Sequence, residues 1–322
     1  MLIAGFDAGQ THTRCRLQRW LCNPEPGADA GAGPIVGEGE GSGVCHLAAD
    51  GGEAAFQAAI RSSLNAALTE AALPQTTPIK AAVVGASGIE QGTALQQRGH
   101  ALLCQALQLD PAMALVNGDE RTALHAAFPR SAGIVLISGT GMICLGRNAE
   151  GREHRSGGWG WRLDGAGSAY DIGHQGLQLS LRMADGRLPK TRLLDQLWTA
   201  LGCSSPEAIK TLAAGQEMGV AAIARLAPLV EAEAQAGDKQ ALQVLDHSAM
   251  ALAEAVAAVA KALDLPSASI SAQGGAITHL RLLRNLVEQH LTAKLPHWQW
   301  ARSDGDACDG ALSLALGLLR PH

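Results

Sequence analysis

The chain has 322 residues, 47% of them hydrophobic, 17% charged and only 3% aromatic, with 25 Lys+Arg against 30 Asp+Glu and a formal net charge of −5. That apolar share fills a real core and excludes a disordered, self-repelling chain, and the length suggests about two domains. No block of Lys and Arg stands out, which argues against nucleic acid as a partner, because a phosphate backbone needs clustered positive charge. The seven cysteines, Cys15, Cys22, Cys45, Cys104, Cys144, Cys203 and Cys308, are odd in number and widely spaced, with no CxxC pair. They point to buried thiols in a reducing compartment rather than a disulfide framework, a zinc site or a cysteine-ligated cluster. The opening MLIAGFDAGQ lacks the basic and apolar regions of a signal peptide, and the most apolar segment, 252–265, is interrupted by Glu254 and Lys261. The expectation is a cytoplasmic protein with no membrane partner.

In chain order, the apolar run at 2–6 reads as a buried strand entering a turn at Asp7 and Gly9, and the alternation over 11–18 as a second strand pairing back as a hairpin. Residues 23–43, dense in Pro and Gly, read as a loop holding one short strand at Ile35 and Val36. A helix follows over 53–73, a strand at 81–84 ending in GASG, a helix at 95–107 and a strand at 113–116. After Asp119 come a helix (122–127), a strand (134–138) running into GTG, and its hairpin partner (142–148). Residues 168–259 read as mostly helical, then a strand (269–272), the sequence QGGAIT, another helix, and an amphipathic helix at 307–319. The strand, Gly/Thr turn, strand pattern thus occurs once in each half of an α/β chain. It predicts two α/β domains, 1–116 completed by 307–322 and 117–306, the second enlarged by helices, with a cleft between them.

Five clusters could carry chemistry. In DAGQTHT (7–13) the glycine lets backbone N–H groups approach an anion, the Thr hydroxyls add donors, and Asp7 would need a cation such as Mg²⁺ between itself and a phosphate. An ordinary hairpin turn accounts for the same residues equally well. SGTGM (138–142) after an apolar strand is a second turn of this type, and two together favour phosphate binding over either alone. Gly274 and Gly275 follow a strand and precede a helix, where a flat ligand can lie on bare backbone, or where the helix merely enters tightly. Neither GxGxxG nor GxxxxGK[ST] occurs, so dinucleotide and Walker-type sites lack support. Asp119 stands past the end of a strand, where α/β folds hold ligands, and could take a hydroxyl proton during phosphoryl transfer; capping the helix near Thr122 is the plainer role. Glu120 reads as a solvated neighbour. In GGWGWRLDGAGS (157–168), Trp159 and Trp161 either line a sugar or base or pack into the core.

These residues, together with GASG (85–88), NGDERTA (117–123), GREHRSGGWG (151–160), AGSAYDIG (166–173), AQGGAI (272–277) and SDGDACDGAL (303–312), resemble in order the actin/hexokinase/Hsp70 type of ATPase. Within that superfamily they resemble the N-acetylglucosamine and glucosamine kinase branch of the BadF/BadG/BcrA/BcrD ATPase family. The resemblance implies two actin-like (ribonuclease H-like) domains of mixed sheet and helices flanking an ATP cleft, with ATP and Mg²⁺ as cofactors and a sugar as the partner molecule, and a homodimer is plausible on the same ground. It implies that Asp7, Gly9, Thr11 and Thr13 form the first phosphate motif, with Asp7 holding Mg²⁺ through water. Gly139, Thr140 and Gly141 would form the second, and Gly274 and Gly275 the adenosine motif. Asp119 would be the base that deprotonates the 6-hydroxyl of an amino sugar, with Ser87 and Gly158 near the sugar. Met142 and Ile143 stand where the branch has Ser and Asn, Cys45 or a neighbour stands in for another Asn, and the acidic pair of the following block is lost or shifted to Asp164. Apolar side chains in place of hydrogen-bonding ones leave the sugar's identity open. Two other functions of the superfamily remain open at this point: an ATPase that activates a redox partner, and a sugar sensor without catalysis.

Overall fold

The structure, a computed structural model, describes residues 1–9, 11–21, 31–215, 218–303 and 305–319. The chain divides into two compact units, the first Met1–Arg130 with Arg302–His322, the second Ser131–Ala301. The first contains a five-stranded sheet built from β1 (Leu2–Ala8), β2 (His12–Trp20), β3 (Ala32–Ser42), β4 (Ile79–Ala86) and β5 (Ala114–Gly118), in the order β3-β2-β1-β4-β5. β1, β2 and β3 pair antiparallel, whereas β4 and β5 join β1 in parallel. On this sheet pack α1 (Gly52–Glu70), α2 (Ala94–Leu107), α3 (Asp119–Ala127) and the C-terminal α12 (Ala307–Leu318), with Phe6, Leu17, Phe56, Ile60 and Leu103 buried in the core.

The second unit repeats that arrangement. β6 (Gly133–Ser138), β7 (Met142–Arg147) and β8 (Glu153–Gly157) form an antiparallel meander, and β9 (Ser269–Gln273) and β10 (Gln299–Trp300) extend it in parallel. The order β10-β9-β6-β7-β8 therefore matches the first sheet strand for strand. The single helix α1 joins β3 to β4, whereas six helices join β8 to β9: α4 (Ala169–Ala184), α5 (Arg192–Ala200), α6 (Pro206–Ala214), α7 (Val220–Ala224), α8 (Ala227–Gln235) and α9 (Lys239–Ala262). Two more, α10 (Gly275–His279) and α11 (Arg281–Lys294), lie between β9 and β10. The helical enlargement expected of the second half is this segment. By length and composition α9 alone among the described residues could cross a membrane. Its Val244, Leu245, Leu252, Val256 and Val259 are instead buried in the unit's core.

Three details differ from the sequence reading. Residues 32–42 form an eleven-residue strand, not a loop with a short one; residues 23–30 lie outside the described residues. The glycines that look like loop punctuation serve close packing, because a Cβ on Gly37 or Gly41 would press into the backbone or side chains of α1. α3 begins at Asp119 rather than 122 and belongs with α12 in the first unit, so the division falls at Arg130/Ser131 and Ala301/Arg302 instead of 116/117 and 306/307. The edge strands β8 and β10 carry too little apolar alternation to be read as strands. The fit of α12 against α3 is tight enough that a Cβ on Gly310 would overlap the Thr122 carbonyl. Gly310→Ala is expected to destabilise the protein by about 2 kcal/mol or more, read as a lower urea midpoint.

Candidate active site

Parallel pairing brings the ends of three strands of the first unit together. Asp7 lies level with Gly85 and Gly85 with Asn117, and the next level is Ala8, Ala86 and Gly118. One residue further on, the chain carries Gly9, Ser87 and Asp119, so Asp7, Ser87 and Asp119 collect at the carboxyl edge of β1, β4 and β5. The Ser87 N–H donates to the Ala8 carbonyl (3.2 Å), and the Gly9 N–H to the His12 carbonyl (3.0 Å), closing the hairpin turn. The Gly9 carbonyl accepts from Val44 N–H (2.9 Å), which ties the loop holding exposed Cys45 to the same edge. The His46 ring lies beside Gly88, again at this edge. Thr11, just ahead of β2, is exposed, while Thr13 on β2 faces inward and its Oγ1 is a buried hydroxyl without a hydrogen-bond partner among the described residues.

Burial, together with the facing Asp7 carboxylate, pushes the Asp119 carboxyl above the usual carboxylate range, against the N–H groups of the first turn of α3, which favour the ionised form. Glu120 is not a solvated neighbour: it is 5% exposed, folds over Gly118 and pairs with Arg121 at 3.2 Å. Asn117, also buried, accepts from Gln96 Nε2 (3.2 Å), which donates as well to the Val116 carbonyl (2.8 Å) and so secures the strand end beneath Asp119.

In the second unit the parallel pairing of β6 with β9 sets Ile137 level with Gln273, so the turn 138–142 and the pair Gly274–Gly275 are neighbours. Gly274 has φ 92°, and a Cβ there would come within 2.6 Å of the Ser138 carbonyl oxygen, so only glycine fits. The buried Ser138 hydroxyl donates to the Gly167 carbonyl (2.7 Å), and Ala169 N–H donates to the Gly139 carbonyl (2.8 Å), which joins the turn to the start of α4. Thr140 and Gly141 are exposed, and nothing stands within 4 Å of where a Gly141 Cβ would be. Met142 lies in the core under Gly157, and Ile143 packs against Gly158. Asp164 is half-buried, its carboxylate oxygen near Gly157. Neither indole is in the core: Trp159 is 60% exposed with the Arg155 guanidinium 4.1 Å above it, and Trp161, 39% exposed, stacks at a tilt on Tyr170.

Sequence reasoning missed Arg14 and Asp306. Arg14 Nη2 donates to Asp7 Oδ2 (2.8 Å) and Nη1 to Asp306 Oδ2 (3.0 Å), while Asp7 Oδ1 has no partner among the described residues. The signal was present in the alternation of β2, which turns Thr13, Cys15 and Leu17 inward and Arg14 outward, and in the D-x-x-D spacing of a helix cap at 306–309.

Each sheet of this fold thus ends in a glycine-bearing hairpin turn beside the ends of parallel strands, the arrangement of an actin-like ATPase fold. Residues 4–301 match the BadF/BadG/BcrA/BcrD ATPase family, and the chain belongs to that family. A protein of Clostridium acetobutylicum named N-acetylmuramic acid/N-acetylglucosamine kinase is 31% identical over 62% of this chain and 66% of its own length. An N-acetyl-D-glucosamine kinase of Dictyostelium discoideum is 34% identical over 57% of this chain and 59% of its own. The chain therefore spans less than two thirds of the length of each of these curated relatives. Among solved structures, a Chromobacterium violaceum protein provisionally named as an N-acetylglucosamine kinase is 27% identical, with a TM-score of 0.76 over 98% of both chains. A glucokinase from Streptomyces griseus, solved with glucose and AMPPNP, shares the fold at 17% identity and a TM-score of 0.54.

A carboxyl whose pKa is raised on folding binds more protons in the folded state. It favours folding at low pH, and that contribution is lost as the pH rises through the folded value. Asp119→Asn is accordingly expected to have a higher Tm than the native protein at pH 7, the gap closing as the pH falls toward that of an ordinary carboxyl; a gap independent of pH in differential scanning fluorimetry would contradict a buried charge at this position.

Proposed function

We propose that this protein is a cytoplasmic ATP-dependent sugar kinase that transfers the γ-phosphoryl group of ATP to the 6-hydroxyl of an amino sugar, with N-acetylglucosamine and glucosamine the leading substrates. The observation that carries the reading is the meeting of Asp7 and Asp119 at one sheet edge, with Asp119 partly shielded from water and its carboxyl more basic than usual. Membership of an ATPase family, and relatives named as amino-sugar kinases, supply the reaction class.

In this reading Asp119 accepts the proton of the sugar hydroxyl as its oxygen attacks the γ-phosphorus. The new O–P bond forms while the bond from that phosphorus to the β,γ-bridging oxygen breaks, and ADP leaves with the electron pair. A base with a raised pKa suits this work, because it binds the proton more firmly once it has been transferred. Asp7 would hold Mg²⁺, directly or through water: one oxygen is fixed by Arg14 and the other has no partner among the described residues, a fit to a hard cation that takes oxygen ligands. Mg²⁺, when bound, neutralises phosphate charge. Gly9 and Thr11 would serve the phosphates, as would Gly139, Thr140 and Gly141, with Gly274 and Gly275 beneath the adenosine, whereas the Thr13 hydroxyl, expected in the first phosphate motif, is buried inside the unit. Ser87, with the Cys45–His46 loop, would touch the sugar. Gly158 and Asp164 remain candidates for sugar contact, whereas Met142 and Ile143, packed beneath the glycines, would act on the sugar by shaping the backbone above them.

The test is incubation of the purified protein with Mg·ATP and a panel of N-acetylglucosamine, glucosamine, N-acetylmuramic acid, N-acetylmannosamine and glucose, reading both ADP and sugar phosphate. One sugar is expected to be phosphorylated, and Asp119→Asn to lower that rate by about 10²-fold or more with nucleotide affinity retained. ADP release without any sugar phosphate, or full activity in Asp119→Asn, would overturn the proposal. The acid limb of the native kcat profile is expected above the ordinary aspartate range, following the raised Asp119 carboxyl.

A further inference from the structure

We propose that Arg14 and Asp306 are positioning residues that hold the Asp7 carboxylate for its cation, an inference that rests on the metal-binding role given to Asp7 above. Arg14 reaches Asp7 with one terminal nitrogen and Asp306 with the other, at 2.8 and 3.0 Å. Asp306 is itself fixed from several sides. It caps α12, its Oδ1 accepting from the N–H groups of Cys308 (3.0 Å) and Asp309 (3.2 Å), while its own N–H donates to Asp309 Oδ2 (2.9 Å). Arg16 donates to both Asp306 oxygens (2.9 and 3.2 Å) and pairs with Glu38 at 2.8 Å and with Asp309 at 2.5 Å. α12 in turn lies against β1 so closely that a Cβ on Gly5 would come within 2.6 Å of the Cys308 carbonyl. A rigid chain of contacts thus runs from the helix cap through Arg14 to the carboxylate beside the hairpin turn.

The Arg14 side chain is 46% exposed, and an ion pair of that exposure adds little to stability. Its value lies in geometry. Arg14 engages Oδ2 alone, so the plane of the Asp7 carboxylate is set and Oδ1 is the oxygen presented to a cation. Without Arg14, Asp7 is free to turn away from the facing Asp119 carboxylate, and a cation must then bear the cost of ordering it. The C-terminal segment thereby becomes part of the phosphate-handling machinery of the first unit, although it lies some 300 residues from the hairpin in sequence (the Arg14–Asp306 separation is 292).

The experiment uses the full chain and the variants Arg14→Ala, Arg14→Lys, Asp306→Asn, Arg14→Ala with Asp306→Asn, and Asp7→Asn. It measures Mn²⁺ binding in the presence of ADP by electron paramagnetic resonance, with kcat, KM for Mg·ATP and KM for the sugar alongside. Arg14→Ala and Asp306→Asn are expected to weaken Mn²⁺ binding about tenfold, to raise the KM for Mg·ATP, and to leave the KM for the sugar unchanged. Arg14→Lys should recover part of the loss. The double variant should be no worse than Arg14→Ala, because Asp306 acts through Arg14. Asp306→Asn keeps a capping oxygen on α12, so the helix survives the loss of charge. Unaltered Mn²⁺ binding in Arg14→Ala and Asp306→Asn, with binding lost in Asp7→Asn, would overturn the positioning role alone. Unaltered binding in Asp7→Asn as well would remove Asp7 from the metal site and the reading beneath it. Equal losses in Tm and in every kinetic constant would reduce the pair to a structural contact and overturn the inference.

Discussion

In a parallel sheet the hydrogen-bond register decides which residues arrive together at the carboxyl edge, and a slip of one residue would turn each side chain to the opposite face. The first unit depends on that constraint. β1, β4 and β5 end in step, so an aspartate at the end of one strand, a serine just past the next and an aspartate just past the third come to one edge. Bringing two carboxylates together is unfavourable in itself. The cost is offset locally by the first turn of α3 beneath Asp119 and by the Arg14 guanidinium on Asp7. The result is a pair of acids in unlike surroundings, one more basic than usual and the other tied to a cationic side chain, an asymmetry that lets two chemically alike groups take different roles.

The second unit applies the same strand order to another end. Its parallel pair β6 and β9 finish in glycine turns rather than carboxylates, and Gly274 packs on the Ser138 carbonyl where no side chain fits. Bare backbone in that place can meet an anion or a flat ring. The six helices between β8 and β9 build the core that holds these turns, with Ser138 bonded to Gly167 at the head of α4. One topology, used twice, thus carries acids at one edge and open backbone at the other.

Much of this is legible in the amino-acid sequence. The strand and turn at 2–9, the helix at 53–73 and the strand running into SGTG all lie where apolar spacing and glycine put them. What escaped was set by tertiary packing. The glycines of β3 look like loop residues until α1 is laid against them, and Glu120 looks solvated until the fold buries it. Met142 and Ile143, which in a linear reading belong beside a ligand, are covered by Gly157 and Gly158 because β8 pairs with β7. Arg14 and Asp306 could not be matched from spacing alone, since their partnership exists only once the C-terminal helix returns to the first sheet.

The division of roles between the two acids depends on an Asp119 carboxyl made more basic by burial and by Asp7. Titration of the carboxyl carbon of ¹³C-labelled Asp119 by NMR, in the native protein and in Asp7→Asn, measures it directly. The midpoint is expected above the ordinary aspartate range in the native protein and lower when the Asp7 charge is removed. A midpoint at or below the ordinary range, unmoved by Asp7→Asn, would contradict it.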